Sequence, residues 1–220
     1  MFVDLCTNIA PFAAIFVFMA PFPTIQKIRE EKTVGSMPLL PYSSMSASAF
    51  IWTTYGILRG EPKIWSSNVI GLFLGLYYMF HFVKHSPKAA STLPGSVRQH
   101  MGSVLTVFVA TLMVSLSNVV NPAALIGPFG LALTIGMFAS PLSALKTVIQ
   151  TKSAASIPLP FTLASLVNCL AWSVSGLFRM KDFNIYFPNL LGLTFSLAQV
   201  VLKLTYGNGA KGHGVKPLPM

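Results

Sequence analysis

The sequence predicts an all-α membrane protein of seven transmembrane helices, built as two parallel three-helix bundles joined by a linker helix. Three observations predict it. Only 9% of the 220 residues are charged while 53% are hydrophobic, and the mean hydropathy is +0.66; a soluble domain carries about 25% charged residues. The apolar residues run in long stretches, seven of which approach the roughly 20 residues needed to cross a ~30 Å hydrocarbon layer. The first three stretches also recur in the last three at a nearly constant offset.

The stretches are 7–25, 37–58, 65–83, 102–122, 124–145, 157–178 and 184–205. The first reads as a span and not as a cleaved leader, because the residues before it hold Asp4 and no Lys or Arg. Linkers are short, so no separate soluble domain is expected. The chain divides into residues 1–95 (spans 1–3), 96–123 (span 4), 124–206 (spans 5–7) and a Gly/Lys-rich tail, 207–220, expected to be flexible. Two cysteines, Cys6 and Cys169, are too few for a disulfide scaffold and do not make a metal pair.

The net charge is +10 and the pI about 9.9. In a soluble protein this would suggest nucleic acid, but here the basic residues sit in short loops and set orientation, so no nucleic-acid partner is expected. With the N-terminus outside, the inner loops hold eleven of the fifteen basic residues: Lys27, Arg29, Lys32, Lys84, Lys88, Arg98, Lys146, Lys152, Lys203, Lys211 and Lys216. The outer loops keep Arg59, Lys63, Arg179 and Lys181. The bias predicts N-terminus out and C-terminus in the cytosol.

Internal similarity is the most specific signal. An offset of 120 pairs Pro21 with Pro141, Lys32 with Lys152, Ser36 with Ser156, Pro38 with Pro158, Trp52 with Trp172, Gly56 with Gly176 and Arg59 with Arg179. One further residue then pairs Asn68 with Asn189, Gly71 with Gly192 and Leu72 with Leu193. The copies start four spans apart, an even number, so they enter the membrane from the same side. Parallel repeats of this kind hold their substrate near the midplane, between the halves. Span 4 carries no matching polar residue and reads as the linker.

No Asp, Glu, Lys or Arg falls in the interior of a span. The five acids, Asp4, Glu30, Glu31, Glu61 and Asp182, lie at ends or in loops. Ion-driven pumps need intramembrane ionisable groups, so the sequence favours a facilitator of a neutral solute without proton coupling; sodium held by backbone carbonyls stays open. The interior does hold Asn68, Asn168, Asn189, Ser48, Trp52 and Trp172. An amide both donates and accepts, which suits hydroxyl-rich ligands. An indole offers an apolar face and one N–H, which suits the C–H face of a sugar ring. Ser48 with Trp52 and Asn168 with Trp172 are four apart, so each pair shares a helix face. The alternative is that the Asn residues glue helices together and the Trp residues mark the interface belt. Pro21, Pro23, Pro38, Pro41, Pro141, Pro158 and Pro160 cluster near the inner ends of paired spans. They read either as hinges closing the inner mouth or as ordinary helix stops.

These residues, in this order, resemble the SWEET sugar transporters, the MtN3/saliva family. The carrying segments are APFPTIQKIREEKT, LPYSSMSASAFIWTTYGIL, WSSNVIG, MFASPLSALKTVIQTKS, IPLPFTLASLVNCLAWSVSGL and FPNLLGL, which cover about residues 7–206. The resemblance implies two bundles packed in the order 1-3-2 and passive, bidirectional uniport of mono- or disaccharides by alternating access. No cofactor and no metal are implied. By the resemblance, the cavity asparagines are Asn68 and Asn189, its tryptophans Trp52 and Trp172, and the positions one turn before these Ser48 and Asn168. Selectivity positions are Val17 and Met137. An inner-gate proline tetrad would be Pro21, Pro41, Pro141 and Pro158, although the repeat itself pairs Pro38 with Pro158. An outer-gate pair would be Tyr55 and Asp182. The resemblance leans to a monosaccharide, since Met137 is bulky, and to the plasma membrane, with an endomembrane as the other address.

The related PQ-loop transporters of amino acids share such a repeat and are the alternative for this or another small solute. Their Pro-Gln dipeptide is Pro-Phe at Pro21 and Pro-Leu at Pro141, which favours the sugar branch. A seven-span receptor would lack the repeat, and neither Asp-Arg-Tyr after span 3 nor Asn-Pro-x-x-Tyr in span 7 is present. A membrane enzyme has no visible apparatus: His81 and His85 are four apart but lack a third ligand, and no Gly-x-Ser-x-Gly elbow occurs. The expected partners are a small-molecule sugar and the lipid bilayer. The Gly71-x-x-x-Gly75 spacing leaves a homo-oligomer open.

Overall fold

The computed structural model describes residues 1–87 and 95–207, and its regular elements are helices. The first rod is α1, Phe2–Met19, followed by α2, Phe22–Glu31. It breaks at Ala20–Pro21 because Pro21 has no N–H to return to the carbonyl of Val17; the Ala20 N–H takes that carbonyl instead, at 3.2 Å. α3 is Leu40–Leu58, α4 Pro62–His85 and α5 Val97–Ser115. The fifth rod is α6, Ala123–Met137, and α7, Ala139–Thr151, broken at Phe138. This break lies one turn before Pro141, whose missing N–H would have bonded to Met137. α8, Leu159–Val174, runs into a π-helical turn, Ser175–Met180, and α9 is Phe183–Tyr206.

Six of these runs are long and apolar enough to cross a bilayer: Phe2–Glu31, Pro62–His85, Val97–Ser115, Ala123–Thr151, Leu159–Met180 and Phe183–Tyr206. α3 is not among them. Its polar residues, including Tyr42, Ser43, Ser46 and Thr53, are buried, and α3 packs against α4, α5 and α6. Packing among neighbouring helices therefore keeps these groups away from lipid, and Ser43 also bonds to His100 of α5 at 2.9 Å.

The fourth span corrects the sequence expectation of 102–122, because α5 starts five residues earlier and ends at Ser115. Its start is set by a capping box: the Ser96 hydroxyl accepts from the Gln99 N–H at 3.3 Å, and the Gln99 side chain accepts from the Ser96 N–H at 2.7 Å. Hydropathy does not see such a cap. Of the tail expected to be flexible, all but Gly207 lies outside the described residues, as do Lys88, Lys211 and Lys216.

α4 packs against both α1 and α3, and α9 packs against both α8 and the α6–α7 rod. Between these groups, α1 meets α8 and the π-helical turn, while α3 meets α6; α5 lies against α3 and α6. The two copies share unusual backbone. Lys32 and Lys152, matched by the repeat, end α2 and α7 at φ of 54° and 53°, a left-handed conformation that costs a side-chain-bearing residue roughly 1–2 kcal/mol. Gly56 and Gly176 make the same close approach. A Cβ on Gly56 would lie 2.7 Å from the Trp65 backbone nitrogen, and one on Gly176 2.8 Å from that of Tyr186. Gly71 and Gly75 face Phe18 and Ser46 of the same chain, so this glycine spacing packs helices within one subunit.

The extra residue of the second copy has a structural address. The Glu61 N–H bonds to the Gly56 carbonyl at 2.9 Å, and the Asp182 N–H bonds to the Gly176 carbonyl at 2.9 Å. The second link spans one residue more, and the π-helical turn between Ser175 and Met180 absorbs it. Downstream register is thereby kept, and Glu61 and Asp182 stand at equivalent helix starts.

The buried apolar residues form separate clusters. One joins both halves and contains Cys6, Ala10, Ile51, Tyr55 and Ile64 with Ala123, Ile126, Ala171, Trp172 and Ile185. At the other end the halves have a cluster each: Ile25, Ile28, Val34, Leu39, Tyr42 and Phe82 in the first, Val148, Ala154 and Ile157 in the second. Among the described residues, the fully buried apolar packing shared by the halves is this first cluster, while Leu133 of α6 also packs against the cluster of the first half.

Candidate functional site

A cavity lies between the two halves, with about 730 Å³ of empty space counting its open mouth. Asn68, Asn189, Trp52, Trp172, Ser48, Asn168, Val17 and Met137 all line it. So do Ala14, Phe18, Ile64, Thr134, Asn184, Ile185 and Pro188, which sequence reasoning did not single out.

Twelve of the fifteen lining residues are six repeat-matched pairs: Ala14/Thr134, Val17/Met137, Ser48/Asn168, Trp52/Trp172, Ile64/Ile185 and Asn68/Asn189. Each half therefore supplies one copy of the same wall. Ala14/Thr134 and Ile64/Ile185 obey the same offsets, although sequence reasoning did not name them. Asn184 and Pro188 carried no such signal.

The two central amides are held alike. The Asn68 side-chain N–H₂ donates to the Ile64 carbonyl one turn back at 2.8 Å, and that of Asn189 donates to the Ile185 carbonyl at 2.7 Å. Each bond fixes the rotamer while leaving the amide oxygen and a second N–H for another partner. On the walls, the Trp52 indole N–H donates to the Thr134 hydroxyl at 3.2 Å, and that hydroxyl donates to the Gly130 carbonyl at 2.8 Å. This chain orients the Trp52 ring across the boundary between the halves. Trp172 is 7% exposed and packed in the shared apolar cluster. The Asn168 side-chain oxygen is buried without a hydrogen-bond partner. Among the described residues, no Asp, Glu, Lys or Arg lines the cavity.

A polar network lies beside the shared apolar cluster. The Tyr55 hydroxyl donates to the Asp182 carboxylate at 2.7 Å, and the Asn184 side chain donates to the Tyr55 oxygen at 3.3 Å. Asp182 also accepts the Asn184 backbone N–H at 3.0 Å as the N-cap of α9. The Arg59 guanidinium lies 3.5 Å from the same carboxylate. Arg59 was read from sequence as an outer-loop charge and as the repeat partner of Arg179; its place here depends on α3 ending beside the α9 start.

The four prolines behave differently. Pro21 and Pro141 are half-buried at the bends of the first and fifth rods, while Pro41 and Pro158 are exposed at the starts of α3 and α8. None of the four lines the cavity, and the same is true of Pro38. Among the described residues, no group of three or more His, Cys, Asp or Glu side chains is placed to hold a metal ion.

Residues 5–90 and 124–211 match the family described as "Sugar efflux transporter for intercellular exchange", one match to each half. Bidirectional sugar transporter SWEET9 of Arabidopsis thaliana is 33% identical over 208 residues, covering 93% of this chain and 78% of its own length. Bidirectional sugar transporter SWEET12 of Oryza sativa subsp. japonica is 30% identical over 214 residues, covering 97% of this chain and 70% of its own. Sugar transporter SWEET1 of Dictyostelium discoideum is 28% identical, covering 93% of this chain and 92% of its own. A solved eukaryotic SWEET transporter superposes with a TM-score of 0.79 at 25% identity, covering 94% of this chain and 99% of that one.

Proposed function

The chain belongs to the MtN3/saliva family, the SWEET transporters, and from that premise we propose that it carries a sugar across a membrane, in either direction, by alternating access. The relatives named above are sugar transporters, which supports transport and not catalysis as the activity. The observation that carries the reading is the cavity itself: six repeat-matched pairs, two fixed amides, two indoles and no charged side chain. Such a wall hydrogen-bonds hydroxyls and covers apolar C–H faces without presenting a site for a proton. Transport is therefore downhill uniport.

The architecture is 3+1+3. Residues 1–95 form the first bundle and 124–206 the second, each with its third span between the other two, as the packing of α4 and α9 supports. Residues 96–123 form the linker, and 207–220 a cytosolic tail. The membrane is the plasma membrane, with the N-terminus outside, supported by the excess of basic residues in alternate loops. The structure then corresponds to an inward-facing state. Tyr55, Asp182, Arg59 and the shared apolar cluster close the outer end. Two separate apolar clusters flank an unsealed inner end. Closing that end would bring the Pro21, Pro41, Pro141 and Pro158 bends together while the outer network parts.

Counterflow in proteoliposomes tests the assignment: labelled hexose enters vesicles preloaded with unlabelled hexose, with sucrose and amino acids as external competitors. Competition by sugars alone is expected, and hexoses should compete better than sucrose because Met137 narrows the cavity. Competition by an amino acid, with none by sugars, would replace the sugar reading.

A further inference from the structure

At the end of the bundle away from Tyr55 and Asp182, the two copies of one junction differ in a way that points to a ligand. In the second copy Lys152, left-handed at the end of α7, lays its ammonium 5.1 Å from the Tyr206 ring centre and donates to the Tyr206 hydroxyl at 3.2 Å. A cation–π contact and a neutral hydroxyl satisfy that charge. The repeat places Lys32 identically at the end of α2, with φ of 54° against 53°, but the position matching Tyr206 is His85. Beside it stand Lys84 and Ser86, and with Thr33 these residues line an open surface cleft.

Two ammonium groups, an imidazole and the Thr33 hydroxyl thus face one space; Ser86 also lines it, its hydroxyl donating to the Phe82 carbonyl at 2.9 Å, and among the described residues no acidic side chain does. Glu31, next to Lys32, ion-pairs instead with Lys27 at 3.7 Å. The His85 Nδ1 is engaged with the His81 carbonyl at 2.7 Å, which fixes the ring and turns its other nitrogen away from that carbonyl. One residue type at one position converts a junction that satisfies a cation into one that asks for an anion.

We infer that this cleft, built by Lys32, Thr33, Lys84, His85 and Ser86, binds a phosphate group. A multiply charged oxyanion with several acceptors matches two lysines and the Thr33 hydroxyl lining one cleft. On the orientation proposed above, the cleft opens at the cytosolic membrane surface, where basic pockets gather anionic headgroups. The phosphate then comes either from a phospholipid headgroup or from soluble phosphate.

The test uses the full chain in phosphatidylcholine vesicles. One arm adds labelled phosphatidic acid to the bilayer and measures the lipid retained by captured protein. The other adds labelled inorganic phosphate to the aqueous phase. Both are repeated with Lys32→Gln/Lys84→Gln, with His85→Tyr, which installs the self-satisfying residue of the second copy, and with Lys152→Gln as control. Hexose counterflow, whose cavity none of these residues lines, verifies folding. Wild type should hold one of the two probes saturably, and the Lys pair variant and His85→Tyr should each lose it about tenfold or more, since each juxtamembrane lysine contributes about 1 kcal/mol. Retention of phosphatidic acid alone identifies a headgroup site; retention of inorganic phosphate identifies a soluble one. Binding of neither probe above the Lys pair variant, or an equal loss in Lys152→Gln, overturns the inference.

Discussion

The Tyr55 hydroxyl donates a 2.7 Å hydrogen bond to the Asp182 carboxylate across 127 residues of sequence. It ties the end of α3, in the first half, to the start of α9, in the second. Tyr55→Phe would remove the donor and leave one oxygen of a buried carboxylate poorly satisfied, at about 1–3 kcal/mol. The closed outer end should lose roughly tenfold in population. Labelling of Met137→Cys by a membrane-impermeant thiol reagent from outside, in a Cys6→Ser/Cys169→Ser background, should accelerate by that factor. Unchanged labelling would show that the pair does not hold the outer end closed.

The π-helical turn makes that pairing possible. Deleting Leu177, an exposed residue within Ser175–Met180, would return the turn to α-helix and remove the extra residue. Asp182 would then rotate away from Tyr55 by about 100°, one residue's step on a helix. Outer labelling of Met137→Cys should rise as in Tyr55→Phe, and a further Tyr55→Phe change should add nothing. Full additivity of the two changes would separate the turn from the gate.

The Trp52 ring is oriented by Thr134 from the opposite half. Thr134→Val keeps the volume and removes the acceptor, so sugar KM should rise about three- to tenfold with little change in expression, as for loss of one hydrogen bond of about 1 kcal/mol. Trp172→Phe should keep part of the flux and Trp172→Ala lose most of it. Equal losses for Phe and Ala would exclude a stacking role.

Gly56 separates packing from function. Gly56→Ala forces a Cβ against the Trp65 backbone nitrogen, 2.7 Å away, and should destabilise by about 1–3 kcal/mol. Gly102→Ala, on α5 with nothing within 4 Å of the added atom, should stabilise by up to about 1 kcal/mol. Thermal unfolding in detergent checks both, and the two shifts should have opposite signs.

How much of this was legible in the sequence depended on the kind of signal. Trp52/Trp172 and Asn68/Asn189 could be read because rare residues matched in register, and the structure puts all four on one cavity. Tyr55 and Asp182 were reached through family likeness alone. The helix limits of α5 were misread because hydropathy ignores the Ser96 capping box. Thr134 and Asn184 were passed over since a lone hydroxyl or amide in an apolar run has no partner until the chain is folded. The added residue was visible as a change of offset, but only the backbone bonds from Gly56 and Gly176 assign it to the π-helical turn. Arg59 was read as a topology charge, which its sequence neighbours could not amend.

The central claim is that a neutral, duplicated pocket carries sugar without an ion gradient, and counterflow by wild type and by Asn68→Ala/Asn189→Ala measures it most directly. The vesicles are preloaded with unlabelled hexose at equal pH and equal sodium on both sides. Both amides bond only to their own helix, so the double variant should insert normally. The account predicts a transient overshoot of labelled hexose for wild type and none for the variant. A wild type that moves hexose only under an imposed proton or sodium gradient, or a double variant with an undiminished overshoot, would contradict it.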